Sequence, residues 1–223
     1  MRGDKLIIEK HHTDRAAEIC TLLADRIEGR FVITVGGESA SGKSELASEI
    51  ARLLTERGLK AGILQQDDYF VFPPKTNHEM RRRNLEQVGP YEVKLDFLDS
   101  NLRSFKRGEN PIYKPLVIYD EDRIITEEMG TSDMAVLVVE GTYTSLLRFA
   151  DFRLFIDRDY HQTLEARKRR ARDSFEPFIV DVLEREHQII SAHRALADVV
   201  IPADFGSIQP QKPERRKPAR PAP

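Results

Sequence analysis

One short segment of this sequence combines glycines, a lysine and a serine at the spacing G-x-x-x-x-G-K-S; it runs Gly37-Glu38-Ser39-Ala40-Ser41-Gly42-Lys43-Ser44. This spacing is typical of loops that wrap backbone amides around the phosphates of a nucleoside triphosphate. Gly37 and Gly42 permit the backbone conformations that turn successive N–H groups inward. Lys43 is then expected to reach the β- and γ-phosphates, and Ser44 to ligate Mg²⁺. The segment therefore predicts a binding site for a nucleoside triphosphate and Mg²⁺.

The residues on either side of this loop predict the elements that hold it. Residues 31–35 form an apolar, β-branched run, which is typical of a parallel strand buried on both faces. After the loop, apolar residues recur at helical spacing; they are Leu46, Ile50, Leu53 and Leu54. The loop thus joins a strand to a helix N-terminus, whose partial positive charge favours phosphate.

Acidic residues follow two further predicted strands, at the edge where parallel α/β sheets bind their ligands. Asp67 and Asp68 come shortly after the apolar run 61–64, and Glu140 ends the run 134–139. A carboxylate emerging from an apolar strand is costly to bury unless a cation compensates for it, and Mg²⁺ would do so. The alternatives are an ordinary turn aspartate for Asp67 and a helix-capping carboxylate for Glu140.

Composition favours one globular domain. The chain has 223 residues, 40% of them hydrophobic, a formal net charge of -2 and a single cysteine. These values predict a cytoplasmic protein with no membrane segment and no general attraction to nucleic acid, and association between copies of the chain is left open. We expect one domain over residues 1–205, with residues 1–30 as a helical lead-in packed on it. The basic, proline-rich residues 206–223 are predicted to be disordered.

Alternating strand and helix patterns predict an α/β fold in which a parallel sheet is flanked by helices. The polar connection 65–90 is long enough to indicate a functional role. Residues 111–125 predict a hairpin, residues 199–201 predict the strand that closes the sheet, and residues 160–173 predict an arginine-rich helix. That helix would bring arginines such as Arg169 and Arg172 to a triphosphate, unless they form a solvated face paired with Glu165 and Asp173.

The order and spacing of these segments resemble the uridine kinase and phosphoribulokinase family over residues 31–202. Besides the loop, residues 66–70 read Q-D-D-Y-F, close to the family's Q-D-S-F-Y, and residues 84–86 read N-L-E, close to N-F-D. The remaining matching segments are residues 111–113, 140–141, 155–157, 172–173 and 197–202.

The resemblance implies a P-loop NTPase fold of the nucleoside/nucleotide-kinase type with a lid, and a role for each matching residue. Asp67 would be the catalytic base, assisted by Lys43, and Arg169 and Arg172 would lie in the lid. Residues 37–44 would bind ATP, while Ser44, Asp67 and Glu140 would form the environment of Mg²⁺. The acceptor would contact Glu86, Tyr113 and Arg123.

The resemblance also implies a reaction, the transfer of the γ-phosphate of ATP to a hydroxyl of a small molecule. A uridine kinase-like acceptor, nucleoside or sugar, is the leading expectation. Lys114 stands where the family has an aspartate, and a cation there would favour an anionic acceptor such as pantothenate, glycerate or ribulose 5-phosphate. Two other classes remain open, a nucleotide-hydrolysing switch and a nucleotide sensor without catalysis.

Overall fold

Apolar strands alternate with amphipathic helices along this chain. The computed structural model describes residues 6–163 and 177–212, and thirteen helices and strands lie wholly within these ranges. Short 3-10 turns lie between them, including Gln66–Tyr69 and Pro90–Glu92. In chain order the helices and strands are α1 (Lys10–Leu22), β1 (Phe31–Gly37), α2 (Lys43–Glu56), β2 (Ala61–Gln65), α3 (Pro74–Arg83), α4 (Leu95–Lys106), β3 (Ile112–Ile118), β4 (Arg123–Met129), β5 (Val136–Glu140), β6 (Phe152–Asp157), α5 (Pro177–Ile190), β7 (Val199–Pro202) and β8 (Gln209–Pro210).

The strands form a six-stranded sheet in the order β2-β5-β1-β6-β7-β8. The first five strands are parallel and β8 pairs antiparallel with β7. One face packs against α1 and α2 through side chains such as Ile19, Leu46 and Ile50, and the other face packs against α4 through Leu98 and Phe105. Each fully buried side chain of this size contributes about 1.5–3 kcal/mol of hydrophobic stabilisation. The predicted parallel sheet flanked by helices is confirmed.

Two features of the structure differ from the predictions. The sheet does not end with residues 199–201, because Gln209–Pro210 adds an edge strand beside β7. The long connection 65–90 contains α3, which the sequence pattern did not predict, since the one buried residue of this polar helix is Asn77. The predicted hairpin is present as β3 and β4.

Residues 160–163 are helical, and the rest of the predicted arginine-rich helix lies outside the described residues. Within residues 6–163 and 177–212, no helix is both long enough and apolar enough to cross a bilayer.

Candidate functional site

Three strands end at the same level on one edge of the sheet. Glu140 is in register with Val35 of β1 on one side and with Gln65 of β2 on the other. Because the strands are parallel, the segments that leave these ends converge on one place. They are the loop after β1, the 3-10 turn Gln66–Tyr69 after β2, and the residues after Glu140.

The loop after β1 has the backbone conformation of a phosphate cradle. Gly37, Ala40 and Gly42 have φ of 145°, 62° and 103°. A Cβ at Gly37 would lie 2.9 Å from the backbone oxygen of Ile156, so this position needs glycine both for its conformation and for its space. Gly42 is the N-cap residue of α2, which places the free amides of the helix at the loop.

Lys43 and Ser44 begin α2 and turn toward the strand ends. The Lys43 ammonium group donates a hydrogen bond to the backbone oxygen of Glu38, 2.7 Å away, and is almost fully buried. The Ser44 hydroxyl donates to the carboxylate of Glu140. The helix therefore presents a cation and a hydroxyl group beside the acidic end of β5.

Glu140 is a buried carboxylate whose charged form a bound cation would stabilise. Burial and the nearby negative charge of Asp67 raise its pKa to about 7, while Lys43 and the Ser44 hydrogen bond oppose that rise. The structure thus brings together Lys43, Ser44, Asp67 and Glu140, as the sequence predicts. A bound divalent cation would relieve the repulsion between the two carboxylates.

This donor set fits Mg²⁺ held partly by a substrate. In the described part of the chain, no group of three or more His, Cys, Asp or Glu side chains is arranged to hold a metal on its own. Mg²⁺ is commonly bound through one or two carboxylates, with phosphate oxygens and water completing the shell. Ser44, Asp67 and Glu140 offer a hydroxyl and two carboxylates of this kind.

Three consecutive residues after β2 divide into two anchors and one exposed acid. Gln66 accepts a hydrogen bond from the amide of Tyr143 at 2.7 Å and donates one to the Thr142 hydroxyl at 3.1 Å. The buried Asp68 accepts a hydrogen bond from the amide of Val117 in β3 at 3.0 Å. Asp67 lies between these anchors and is exposed, so its carboxylate faces an open space.

That space is a cavity of about 490 Å³ which extends from the phosphate loop toward α3 and α5. Asp67 and Ser39 line its phosphate end, with Thr142 beside them. The other walls carry aromatic, apolar and charged side chains. They are Phe70, Phe72, Pro74, Lys75, Asn77, His78, Glu79, Arg81, Tyr119, Phe178, Ile179, Val182 and Glu186.

The tip of the hairpin fixes α3, which forms one of these walls. Asp122 accepts hydrogen bonds from the backbone amides of Lys75 and Thr76, at 2.7 and 3.2 Å, and from the Thr76 hydroxyl at 2.8 Å. These are amides of the first turn of α3, so Asp122 caps the helix from a distant part of the chain. The Lys75 ammonium group also donates to the backbone oxygen of Asp120 at 3.1 Å.

Arg81 joins α3 to two carboxylates. Its guanidinium donates to both oxygens of Glu92, at 2.6 and 2.9 Å, and lies 3.0 Å from Glu186 of α5. Burial opposes its charge, but Glu186 and Glu92 together raise the pKa of Arg81 above its ordinary value. The charge of Arg81 is therefore engaged inside the protein.

The residues predicted to bind the acceptor lie away from this cavity. Glu86 is exposed after α3, Tyr113 is 57% exposed on β3, and Arg123 is paired with Glu121 at the protein surface. Lys114 lies 2.7 Å from Glu127 and 3.5 Å from Asp68, so it stabilises the hairpin instead of facing an acceptor. Arg169 and Arg172, predicted as lid residues, lie outside the described residues.

Sequence reasoning missed Asp122 and the pair of Glu92 and Glu186, because their partners are distant in sequence. The signal for Asp122 was the turn between two β-branched runs, since aspartate is favoured in such turns.

Comparisons with known proteins show what this chain is similar to. The model of the phosphoribulokinase/uridine kinase family matches residues 32–193. The bifunctional alpha-galactosidase/sucrose kinase AgaSK of Mediterraneibacter gnavus is 30% identical over 198 residues, which cover 82% of this chain but 21% of that protein. The uridine kinase of Leuconostoc citreum is 27% identical over 185 residues, 77% of this chain and 87% of the relative.

A solved structure described as a possible uridine kinase from Bacillus stearothermophilus has the same fold. It superposes with a TM-score of 0.64 at 22% identity, over 84% of this chain and 97% of that one.

Proposed function

This chain belongs to the phosphoribulokinase/uridine kinase family, and we propose that it transfers the γ-phosphate of ATP to a hydroxyl group of a small, neutral acceptor. One observation carries the proposal. The phosphate loop, Lys43, Ser44 and Glu140 meet at one end of a cavity, and Asp67 lines that cavity from the same end. A triphosphate on the loop and an acceptor in the cavity would meet at Asp67.

Each residue has a role in such a transfer. The loop amides and Lys43 would bind and orient the triphosphate, because phosphoryl transfer depends mainly on alignment and charge neutralisation. Mg²⁺, held by Ser44, Glu140 and Asp67, would supply further positive charge on the phosphates. Asp67 would orient the acceptor hydroxyl and accept its proton.

The cavity walls favour a neutral acceptor. The lining carboxylates are Asp67, Glu79 and Glu186, and the lining cations are Lys75 and Arg81. Arg81 is already bound to Glu92 and Glu186, so among the described lining residues Lys75 is the one cation left opposite three carboxylates, which disfavours a phosphate or carboxylate on the acceptor. Aromatic rings beside hydrogen-bonding side chains suit a nucleoside or a sugar, and the names of the uridine kinase and sucrose kinase relatives agree with these two classes.

The test is ADP release from ATP and Mg²⁺ with a panel of acceptors. The neutral arm contains uridine and sucrose, and the anionic arm contains glycerate, pantothenate and ribulose 5-phosphate. We expect turnover in the neutral arm only. Release that is equal with and without every acceptor, yet stimulated by a protein or nucleic acid, would instead indicate a nucleotide switch.

Asp67→Asn separates binding from chemistry. We expect this variant to bind ATP as the parent does and to lose acceptor-dependent turnover by about 100-fold or more, in the range of general-base catalysis. The matched control is Glu86→Gln, which removes a carboxylate outside the cavity and should leave turnover within about twofold. Equal turnover of Asp67→Asn and the parent would refute the role of Asp67.

A further inference from the structure

An ion pair joins α5 to the phosphate loop. His187 Nδ1 lies 2.6 Å from Oε1 of Glu38, the second residue of the loop motif. Glu38 is 6% exposed, whereas the His187 side chain is 37% exposed. The loop therefore contains a buried carboxylate whose partner reaches it from the wall of the acceptor cavity.

A buried carboxylate is an unfavourable neighbour for a polyphosphate. Burial raises the pKa of Glu38 above its ordinary value, and the hydrogen bond and charge of His187 oppose that rise without cancelling it. In return, the hydrogen bond to Glu38 raises the pKa of His187. While His187 is protonated the pair is neutral as a whole, and when His187 loses its proton the pair gains a negative charge beside the phosphate site.

Other titratable groups face the same pair. Asp159, in the segment after β6, and Glu184, on α5, both favour the protonated form of His187. The Tyr160 ring centroid lies 5.9 Å from that of His187, and its hydroxyl donates to Glu184 at 2.8 Å. The two carboxylates add to the effect of Glu38, so they extend the pH range over which His187 stays charged.

The next residue along α5 makes a second contact of this kind. Glu186 pairs with Arg81 of α3, while His187 pairs with Glu38. Two consecutive residues of one helix therefore hold the acceptor wall and the phosphate loop. The position of α5 is fixed relative to both halves of the site.

We propose that His187 is a positioning residue which fixes and neutralises Glu38, and that the affinity of the loop for a triphosphate consequently falls as the pH rises. The inference rests on the proposed function, because it requires the loop to bind ATP. It goes beyond that function by assigning a pH dependence to nucleotide binding and naming the two side chains that cause it.

The test is calorimetric binding of a nonhydrolysable ATP analogue with Mg²⁺, at pH 6 and pH 8.5, to the parent and three variants. The dissociation constant of Glu38→Gln provides the reference, since the analogue titrates equally in all samples. Relative to this reference, the affinity of the parent for the analogue should fall on the order of tenfold from pH 6 to pH 8.5, because one positive charge is lost near the phosphates. His187→Gln keeps a hydrogen-bond donor without the charge, and its affinity for the analogue should be reduced to a similar extent at both pH values.

The double variant and a control complete the design. Adding Glu38→Gln to His187→Gln should restore binding to within about twofold of Glu38→Gln alone, since the unpaired carboxylate is then gone. Arg185→Gln removes an exposed positive charge from the same helix and should leave the pH profile unchanged. A parent profile parallel to that of Glu38→Gln, or an equal shift in Arg185→Gln, would overturn the inference.

A second measurement uses the parent alone. If protonation of His187 favours the triphosphate, linkage requires the triphosphate to lower the acid dissociation constant of His187 by the same factor, and thus to raise its pKa. NMR titration of the histidine ring signals with and without the analogue measures this change, and an unchanged His187 titration contradicts the inference. A parent that binds no analogue at either pH contradicts the proposed function instead, so the two failures are distinguishable.

Discussion

The Ser44 hydroxyl donates a hydrogen bond to the buried carboxylate of Glu140, and this contact joins the first turn of α2 to the end of β5. The two residues are distant in sequence. They meet because β5 pairs in parallel with β1, so that Glu140 lies opposite Val35, just before the loop that leads into α2. The contact places a hydroxyl oxygen and a carboxylate oxygen together at the phosphate loop.

Replacing Glu140 by glutamine should separate metal binding from nucleotide binding. Glutamine keeps the size and the acceptor for the Ser44 hydroxyl, but it removes the charge that Mg²⁺ requires. We expect the Mg²⁺ concentration needed for half-maximal turnover to rise by at least about tenfold. Titrating Mg²⁺ at saturating ATP measures the effect, and an unchanged requirement would rule out Glu140 as part of the metal environment.

Lys43→Ala should remove most of the triphosphate affinity. The variant deletes the ammonium group that is held at the loop by the Glu38 carbonyl. We expect kcat/KM for ATP to fall by about 100-fold or more, as for other preorganised contacts to developing charge. Lys60→Ala is the matched control, because Lys60 is exposed and paired with Asp133, and a comparable loss in that variant would argue against a specific role for Lys43.

Asp122→Ala should weaken acceptor binding without changing ATP binding. The substitution removes the cap of α3, which costs about 1 kcal/mol of stability. It also leaves alanine at a φ of 47°, which alanine tolerates poorly. Since α3 forms a wall of the cavity, we expect a higher KM for the acceptor and an unchanged KM for ATP, measured by steady-state kinetics.

Asp120→Ala provides the control for that experiment. Asp120 lies at the same hairpin tip, but it contacts Lys75 through its backbone oxygen, which alanine retains. Its KM values should equal those of the parent. If the two variants behave alike, the cap is not what shapes the cavity wall.

Because His12 is buried, the free energy of unfolding of the protein should fall at acidic pH. Burial lowers the pKa of His12 from 6.5 to about 4, and the neighbouring His11 contributes to the same shift. The folded protein therefore keeps His12 neutral at pH values at which the unfolded chain already protonates it. Stability therefore decreases as the pH falls from about 6.5 to 4, by up to about 3 kcal/mol from this residue. Urea unfolding of the parent and His12→Asn across this range measures the difference, and parallel pH curves would contradict the prediction.

The parts of the site that local spacing determines could be predicted from the sequence. The loop, the buried strand before it and the helix after it are contiguous, and Glu140 stands out as an acid at the end of an apolar run. Parallel strands bring such ends to one edge, which is why the cluster of Lys43, Ser44, Asp67 and Glu140 was predictable before any coordinates.

The acceptor side could not be predicted in the same way. Its wall, α3, has no apolar stripe, and it is fixed by Asp122 and by the pairs of Arg81 with Glu92 and Glu186. These contacts join residues that are distant in sequence, so composition and periodicity carry no signal for them. Glu86, Tyr113 and Arg123 were predicted from short motif matches, and such matches do not determine which way a side chain points.

Two aspartates connect the hairpin to the rest of the protein. Asp68, next to Asp67, accepts a hydrogen bond from β3, and Asp122 at the hairpin tip accepts one from the start of α3. The hairpin therefore connects the end of β2 to the wall of the acceptor cavity. Transplanting residues 111–130 from another member of the family, with these two aspartates retained, would vary acceptor preference while the phosphate-binding framework stays intact.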